Sequence, residues 1–258
     1  MSWVIAAASA TGTSHIANGQ SSQDECWAFY ENARAEGYLC ALVADGAGSA
    51  RFGGEGAQKA VEAARTFIHQ ELKQDPSGKL SSDLAYRILG SVRATLKEAA
   101  EHAETSIREF ATTLLGLVVT DDTAMAFQVG DGGIVVEPSS VGPLALVFQP
   151  MAGEFVNTTY FVTDTDAEDR CQVLLMPTVI RAALFSDGLQ RLALRMAEGE
   201  VHVPFFKPLF DVMEGVTPDQ RDALDDALRT FLDSKEVNAR TDDDKTLILA
   251  LWCSPPTH

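Results

Sequence analysis

Several aspartates stand where an apolar segment begins or ends, although they are far apart in the chain. They are Asp24, Asp45, Asp131, Asp187, Asp243 and Asp244. Short apolar segments are typical of buried strands, and strands of one sheet can bring carboxylates from distant positions to the same edge on a rigid frame. Hard divalent cations prefer oxygen ligands of this kind. The pattern therefore indicates a metal site built from carboxylates.

Glycine follows three of these aspartates, in the runs VADG, VGDGG and FSDG. Glycine permits backbone conformations that are closed to other residues, and it lets a carbonyl oxygen approach an ion closely. An Asp-Gly pair is also the ordinary signature of a tight turn. From spacing alone, both interpretations stay open.

The net charge limits the partners that this protein can have. The chain has 258 residues, with 20 Lys and Arg against 37 Asp and Glu, which gives a formal charge of −17. Such a surface repels nucleic acid and anionic membranes, and it favours cations, metal ions included. We therefore expect neither nucleic acid nor a membrane as a partner.

The apolar runs and the cysteines indicate a cytoplasmic protein. The N-terminal run WVIAAASA is too short to cross a bilayer and has no basic region before it, and no later stretch reaches the required length. The cysteines are scattered without a CxxC pair, which makes a zinc knuckle or a redox dithiol improbable. They are Cys26, Cys40, Cys171 and Cys253. We expect them to be reduced.

Hydrophobic periodicity predicts the elements that must position the aspartates. Strands are predicted at residues 3–9, 26–30, 38–44, 114–120, 123–129, 134–136, 173–175, 179–185 and 246–252. Helices are predicted over 57–72, from Ser82 or Asp83 as the cap, over 206–213, and over 218–232 with Thr217 as the cap. Residues 10–22 are expected to form a polar loop, and 138–170 are not assigned apart from an acidic, solvent-facing turn at 164–169. Because strands and helices do not alternate strictly, the order favours an α+β fold of antiparallel sheets covered by helix pairs, in a single domain over 1–258.

An ordered set of motifs resembles a known family. The motifs are SH..N....QD from Ser14, VADGAGSA..G..GA from Val43, TTLLG from Thr112, VGDGG from Val129, FSDGL from Phe185 and DDKTLIL from Asp243. Together they resemble the metal-dependent type 2C Ser/Thr protein phosphatases, most of all the bacterial branch. The resemblance implies a four-layer α-β-β-α sandwich, in which two antiparallel sheets are flanked by helix pairs. It also implies a centre of two Mn or Mg ions at one end of the sandwich.

The resemblance assigns roles to residues of this chain. It implies that Asp45 bridges the two ions and that the carbonyl of Gly46 binds one of them. Asp187 and Asp243 are similar to the remaining ligands, although Asp244 stays open as the alternative to Asp243. The implied reaction is hydrolysis of phosphoserine or phosphothreonine by a hydroxide held between the ions. Two further residues have outer roles: Asp24 is similar to the aspartate that orients water, and Asp131 to a ligand of a third ion.

The chain departs from the family pattern at three positions. Gln23 stands where many members have a glutamate ligand, Ala47 where eukaryotic members have a histidine proposed as general acid, and Gly19 about where their phosphate-binding arginine lies. His15 and Arg51 are the candidates to bind substrate in their place. Two functions therefore stay open. The chain is either an active phosphatase with a phosphoprotein substrate and a cognate Ser/Thr kinase, or a pseudophosphatase that binds a phosphoprotein or kinase without turnover.

Overall fold

The computed structural model describes residues 2–31, 37–74, 79–139, 142–149 and 159–253. Its strands are β1 (Ser2–Ala10), β2 (Asp24–Glu31), β3 (Tyr38–Asp45), β4 (Leu114–Val119), β5 (Thr123–Val129), β6 (Gly133–Pro138), β7 (Ala145–Leu146), β8 (Gln172–Pro177), β9 (Val179–Phe185), β10 (Leu194–Arg195), β11 (Glu200–Val201) and β12 (Lys245–Cys253). Its helices are α1 (Thr13–Ala17), α2 (Gly53–Gln74), α3 (Ser82–His102), α4 (Ala167–Arg170), α5 (Gln190–Ala193), α6 (Val203–Met213), α7 (Arg221–Leu232) and α8 (Lys235–Asn238). Short 3₁₀ turns lie at Ile107–Phe110, Asp187–Leu189 and Pro218–Gln220.

Within these ranges the long strands form two antiparallel sheets of five strands each. The first sheet has the order β1-β12-β9-β6-β7, and the second has the order β2-β3-β4-β5-β8. A separate ribbon pairs β10 with β11. The α+β class and the antiparallel pairing predicted from the sequence are confirmed.

Three apolar clusters show that the sheets and helices form four layers. The central cluster lies between the two sheets and contains Ile5, Leu39 and Ile248. The outer face of the second sheet packs against α2 and α3. The outer face of the first sheet packs against α6 and α7. Since alternate residues of a strand face opposite sides, each sheet buries both of its faces. The four-layer sandwich is confirmed.

The ends of the helices follow their local signals, with one correction. The helix α3 was predicted to be capped by Ser82 or Asp83, but its cap is Ser81, whose side chain accepts a hydrogen bond from the Leu84 N–H. A side-chain acceptor at this place satisfies a backbone donor that the helix leaves unpaired. Thr217 stands before the turn that leads into α7, as predicted. Among the described residues, no helix combines the length and apolar character needed to span a bilayer.

A short helix, α1, occupies part of the segment that was predicted to be a loop. The Ser14 backbone N–H and side-chain hydroxyl both donate to the carbonyl of Asp242, at 3.0 and 2.7 Å. This contact joins residues more than 200 positions apart, so local sequence contains no signal for it. It fixes α1 beside the start of β12.

Candidate metal centre

The ends of both sheets open into one cleft of about 220 Å³. Its walls come from segments that are distant in sequence and include His15, Gln23, Asp45, Gly46, Ala47, Gly48, Ser49, Thr113, Asp131, Thr159, Phe161, Asp187 and Asp243. Five of the residues predicted as metal ligands therefore lie in this cleft, and Asp24 lies directly behind it in the β2–β3 pair.

Asp45 is the last residue of β3, and its backbone is held on both sides. Its N–H donates to Thr113 Oγ1 at 2.9 Å, and its carbonyl accepts from the Thr113 N–H at 2.8 Å. Burial raises the pKa of the Asp45 carboxyl well above its usual range, and the nearby charges of Asp24 and Asp187 add to this effect. An ionised carboxylate in this setting is stabilised by a nearby cation, which offsets the free-energy cost of burying its charge.

Asp24 lies opposite Asp45 in the pairing of β2 with β3. Its Oδ2 accepts hydrogen bonds from Ser186 Oγ and Thr246 Oγ1, both at 2.7 Å. Its Oδ1 is buried and has no hydrogen-bond partner among the described residues. Burial raises the pKa of Asp24 to about 7, against the lowering effect of the two hydroxyls. These bonds tie the second sheet to the first.

Asp187 and Asp131 also line the cleft. Burial raises the pKa of Asp187 to about 6, and the charge of Asp131 raises it further, while a hydrogen bond with Asp45 lowers it. The Asp187 Oδ1 is buried without a hydrogen-bond partner in the described ranges. Asp131 Oδ2 accepts from Thr159 Oγ1 at 2.9 Å, and burial raises the pKa of this carboxyl too.

Asp243 and Asp244 have different surroundings although they are adjacent in the chain. Asp243 is exposed and lines the cleft. Asp244 is only 3% exposed, and its two oxygens accept from the N–H groups of Gly12 and Gln23, both at 2.6 Å. Asp244 is thus engaged in protein contacts, while the Asp243 side chain faces the cleft.

The residues present fit a divalent metal centre. The buried oxygens of Gln23, Asp24 and Asp187 that have no partner among the described residues are all acceptors, and a cation satisfies acceptors. Among the described residues, no group of three or more histidine, cysteine or acidic side chains is arranged to hold an ion as it stands.

Gly46 has no room for a side chain. A Cβ at this position would lie 2.3 Å from backbone atoms of Gly53, whereas a Cβ on Gly48 would meet only Gln23 Oε1 at 3.9 Å. The close approach of Gly46 to Gly53 brings the end of β3 against the start of α2.

We expect Gly46→Ala to destabilise the fold and Gly48→Ala to leave it almost unchanged. Because two backbone segments would have to separate, Gly46→Ala should cost about 1–3 kcal/mol of unfolding free energy, as overpacking does. Urea unfolding of the two variants measures the contrast, since both glycines line the same cleft. Equal stability of the two variants would contradict the close approach.

The remaining substrate candidate from the sequence, Arg51, lies outside this cleft. Its guanidinium lies over the ring of Phe52, 4.8 Å from the centroid. It lines a neighbouring groove of about 810 Å³ together with Gly19, and this groove shares Gln23 with the cleft. The sequence did not predict that Ser186 and Thr246 donate hydrogen bonds to Asp24, although they stand in the motifs FSDG and DDKT.

Comparison with known proteins agrees with this geometry. A family model described as Protein phosphatase 2C matches residues 11–233. Serine/threonine-protein phosphatase 3 of Escherichia coli (strain K12) is 43% identical over 256 residues, which cover 98% of this chain and 99% of that protein.

Solved structures share the fold at lower identity. One is the catalytic domain of the serine threonine protein phosphatase PstP in complex with two manganese ions, with a TM-score of 0.61 and 16% identity, covering 97% of this chain and 98% of that chain. Another is the serine/threonine phosphatase Stp1 of Staphylococcus aureus, with a TM-score of 0.59 and 16% identity, covering 98% and 96% of the two chains.

The fold and the acidic cleft define a metal-dependent phosphatase, and the chain belongs to the protein phosphatase 2C family. This membership confirms the resemblance predicted from the motifs.

Proposed function

We propose that this chain is an active protein phosphatase that hydrolyses phosphoserine and phosphothreonine with two Mn or Mg ions. The observation that carries the proposal is the meeting of carboxyl groups from both sheets at one cleft, with buried acceptor oxygens on Asp24 and Asp187 that lack partners in the described residues. The family match and the E. coli relative support the same activity. The ions lower the pKa of water and neutralise charge on the phosphoryl group.

The chain's own residues would hold that centre. Asp45 would supply a carboxylate to both ions, and Gly46 would supply a carbonyl oxygen. Asp187 and Asp243 would supply further carboxylates. The assignment of Asp243 rather than Asp244 is supported by the hydrogen bonds that already occupy both oxygens of Asp244.

Two further residues have outer roles in this proposal. Asp24 orients water through its Oδ1, because its Oδ2 is held by the two hydroxyls of Ser186 and Thr246. Asp131, with its pKa raised by burial, holds a third ion more weakly.

The substrate is a phosphorylated protein, and a cognate Ser/Thr kinase is its natural counterpart. Cys26, Cys40, Cys171 and Cys253 are free thiols, which supports a reducing compartment such as the cytoplasm. A single domain over 1–258 stays a prediction, and it is supported by the central cluster that joins strands from both halves of the chain.

A direct test compares Mn-dependent release of phosphate with and without EDTA. The purified chain should hydrolyse p-nitrophenyl phosphate and a phosphothreonine peptide when Mn is present, and EDTA should abolish both reactions. Activity that survives EDTA and the Asp45→Asn substitution would rule out the metal mechanism.

Asp187→Ala and Asp243→Ala should each reduce turnover by at least about 100-fold. Even the mutation of a residue that only hydrogen-bonds a metal ligand lowers activity by about 10- to 100-fold. The matched control is Asp166→Ala, since Asp166 is a half-exposed carboxylate paired with Arg170 at 3.0 Å outside the cleft. Its activity should stay within about twofold of the wild type, as for a surface pair. Equal losses in all three variants would point to misfolding instead.

The alternative function, a pseudophosphatase, follows from Gln23, Ala47 and Gly19. Calorimetry with Mn and a phosphopeptide separates the two functions. Tight peptide binding without phosphate release would favour the pseudophosphatase. Gln23 is uncharged where many members of the family have a glutamate, but its buried Oε1 can still bind a cation.

A further inference from the structure

His15 lies at the wall of the acidic cleft and carries a nitrogen base there. Its side chain is 16% exposed, and its Nδ1 lies 2.9 Å from Asp244 Oδ2, an ion-pair distance without the angle of a full hydrogen bond. Among the described residues that line the cleft, it is the only histidine, lysine or arginine. No other side chain in that set can deliver a proton from nitrogen.

The carboxylate behind His15 is held rigidly. Asp244 accepts from Gly12 and Gln23 at 2.6 Å on opposite oxygens. The backbone around it is also closely packed, since a Cβ on Gly188 would lie 2.0 Å from the Asp244 carbonyl oxygen. Asp244 therefore has one orientation, and the ring nitrogen that faces it is defined.

The helix that carries His15 is fixed by a second contact. The Ser14 N–H and hydroxyl both donate to the carbonyl of Asp242. The backbone of His15 is consequently fixed, and its Nδ1 faces the Asp244 carboxylate at 2.9 Å. Because Nδ1 is turned toward Asp244, Nε2 is the nitrogen left to meet a substrate. A histidine oriented by a buried carboxylate is a common arrangement in general acid–base catalysis.

We propose that His15 protonates the leaving oxygen of the substrate and that Asp244 is its positioning residue. This inference rests on the proposed phosphatase function. As the oxygen of water bonds to phosphorus, the bond between phosphorus and the serine or threonine oxygen breaks. The leaving oxygen keeps the electron pair and takes the proton of the His15 Nε2–H. The proton lost by the attacking water passes to solvent, and a solvent proton restores the imidazolium.

The role has a consequence for the class of substrate. An alkoxide of serine or threonine is a poor leaving group and needs a proton, whereas p-nitrophenolate leaves readily without one. A proton donor therefore matters for phosphoprotein substrates far more than for aryl phosphates. A residue that only binds the phosphoryl group would affect both substrates alike.

The test measures His15→Gln on both substrates in the presence of Mn. Glutamine keeps an N–H donor but has no proton to transfer. The ratio of phosphopeptide to p-nitrophenyl phosphate turnover should fall by about 100-fold, the size of a general acid effect. Calorimetry should show unchanged Mn binding, because His15 is not placed among the ligands. The matched control is His102→Gln: His102 is an exposed residue at the end of α3 whose Nδ1 lies 2.9 Å from the Glu98 carbonyl, and its ratio should not change.

The outcomes separate this inference from the proposed function. An equal loss on both substrates, or no loss, would overturn the general acid role and leave the phosphatase function intact. Asp244→Asn should lower the same ratio by a smaller factor, and a thermal melt shows whether it folds. A wild-type chain that binds Mn but hydrolyses neither substrate would overturn the proposed function and this role with it.

Discussion

Replacing Asp45 by asparagine should abolish Mn-dependent hydrolysis and, at the same time, make the metal-free protein more stable. The loss of turnover should exceed about 100-fold, because Asp45 is the ligand proposed to be shared by both ions. Even the mutation of a residue that only hydrogen-bonds a metal ligand can lower activity by about 100-fold. Asparagine has almost the same shape, so the backbone contacts with Thr113 are retained.

The gain in stability has an electrostatic origin. Burial and the charges of Asp24 and Asp187 raise the pKa of Asp45 well above its usual range. A charged carboxylate is therefore costly in the metal-free fold, and a neutral amide removes that cost. The unfolding free energy of metal-free Asp45→Asn should therefore exceed that of the wild type at neutral pH.

Urea unfolding in EDTA measures this gain, and phosphate release with Mn measures the loss. The control is Asp121→Asn, because Asp121 is an exposed carboxylate in the turn between β4 and β5. It should change neither quantity appreciably. If Asp45→Asn is less stable than the wild type in EDTA, repulsion between the carboxylates is not what limits the stability of the metal-free protein.

The metal-free protein should lose stability as the pH rises from about 4 to about 7. Burial raises the pKa of Asp24 to about 7 and that of Asp187 to about 6, from a usual value of 3.8. These carboxyls bind protons more tightly in the folded chain than in the unfolded one. Between the two pKa values the folded state holds more protons, so its stability decreases with pH and the decrease ends above about pH 7. The total loss should be about 2 kcal/mol or more.

Unfolding in urea at several pH values, with EDTA present, measures this decrease. Asp24→Asn should make the dependence shallower, whereas Asp121→Asn should not alter it. Adding Mn at pH 8 should restore the lost stability, because the cation binds only the deprotonated carboxylates. Stability that increases from pH 5 to pH 8 in EDTA would contradict the raised pKa values.

Much of the fold could be predicted because its signals are local. The bounds predicted for β5 and β9 match the structure at both ends, since each strand is a short apolar run between polar or glycine breakers. Helix α1 could not be predicted, because its position depends on the contact of Ser14 with Asp242. The strand β7 lies in the stretch from 138 to 170 where proline and glycine interrupt every pattern. The helix predicted over 57–72 begins earlier, at Gly53, and ends at Gln74.

The residues of the candidate site also differ in whether the sequence alone could identify them. Asp45 at the end of β3 and Asp187 just after β9 could be recognised in the sequence, because each is an acidic residue where an apolar strand stops. The resemblance favoured Asp243 and left Asp244 as the alternative, because both precede the same strand. Their different surroundings depend on the long-range hydrogen bonds of Asp244, for which local sequence has no signal. The contact of Asp244 with His15 is of the same kind.

The pairing of β1 with β12 determines when activity can arise during synthesis. Among the described residues β1 pairs only with β12, the last of their strands, which begins two residues after Asp243. Long-range pairing of this kind forms late, because the intervening chain must first be ordered. A growing chain on the ribosome thus lacks the β1–β12 edge of the first sheet until β12 has emerged, and until then no strand holds Asp243 in place. We expect nascent chains that end before β12 to release no phosphate.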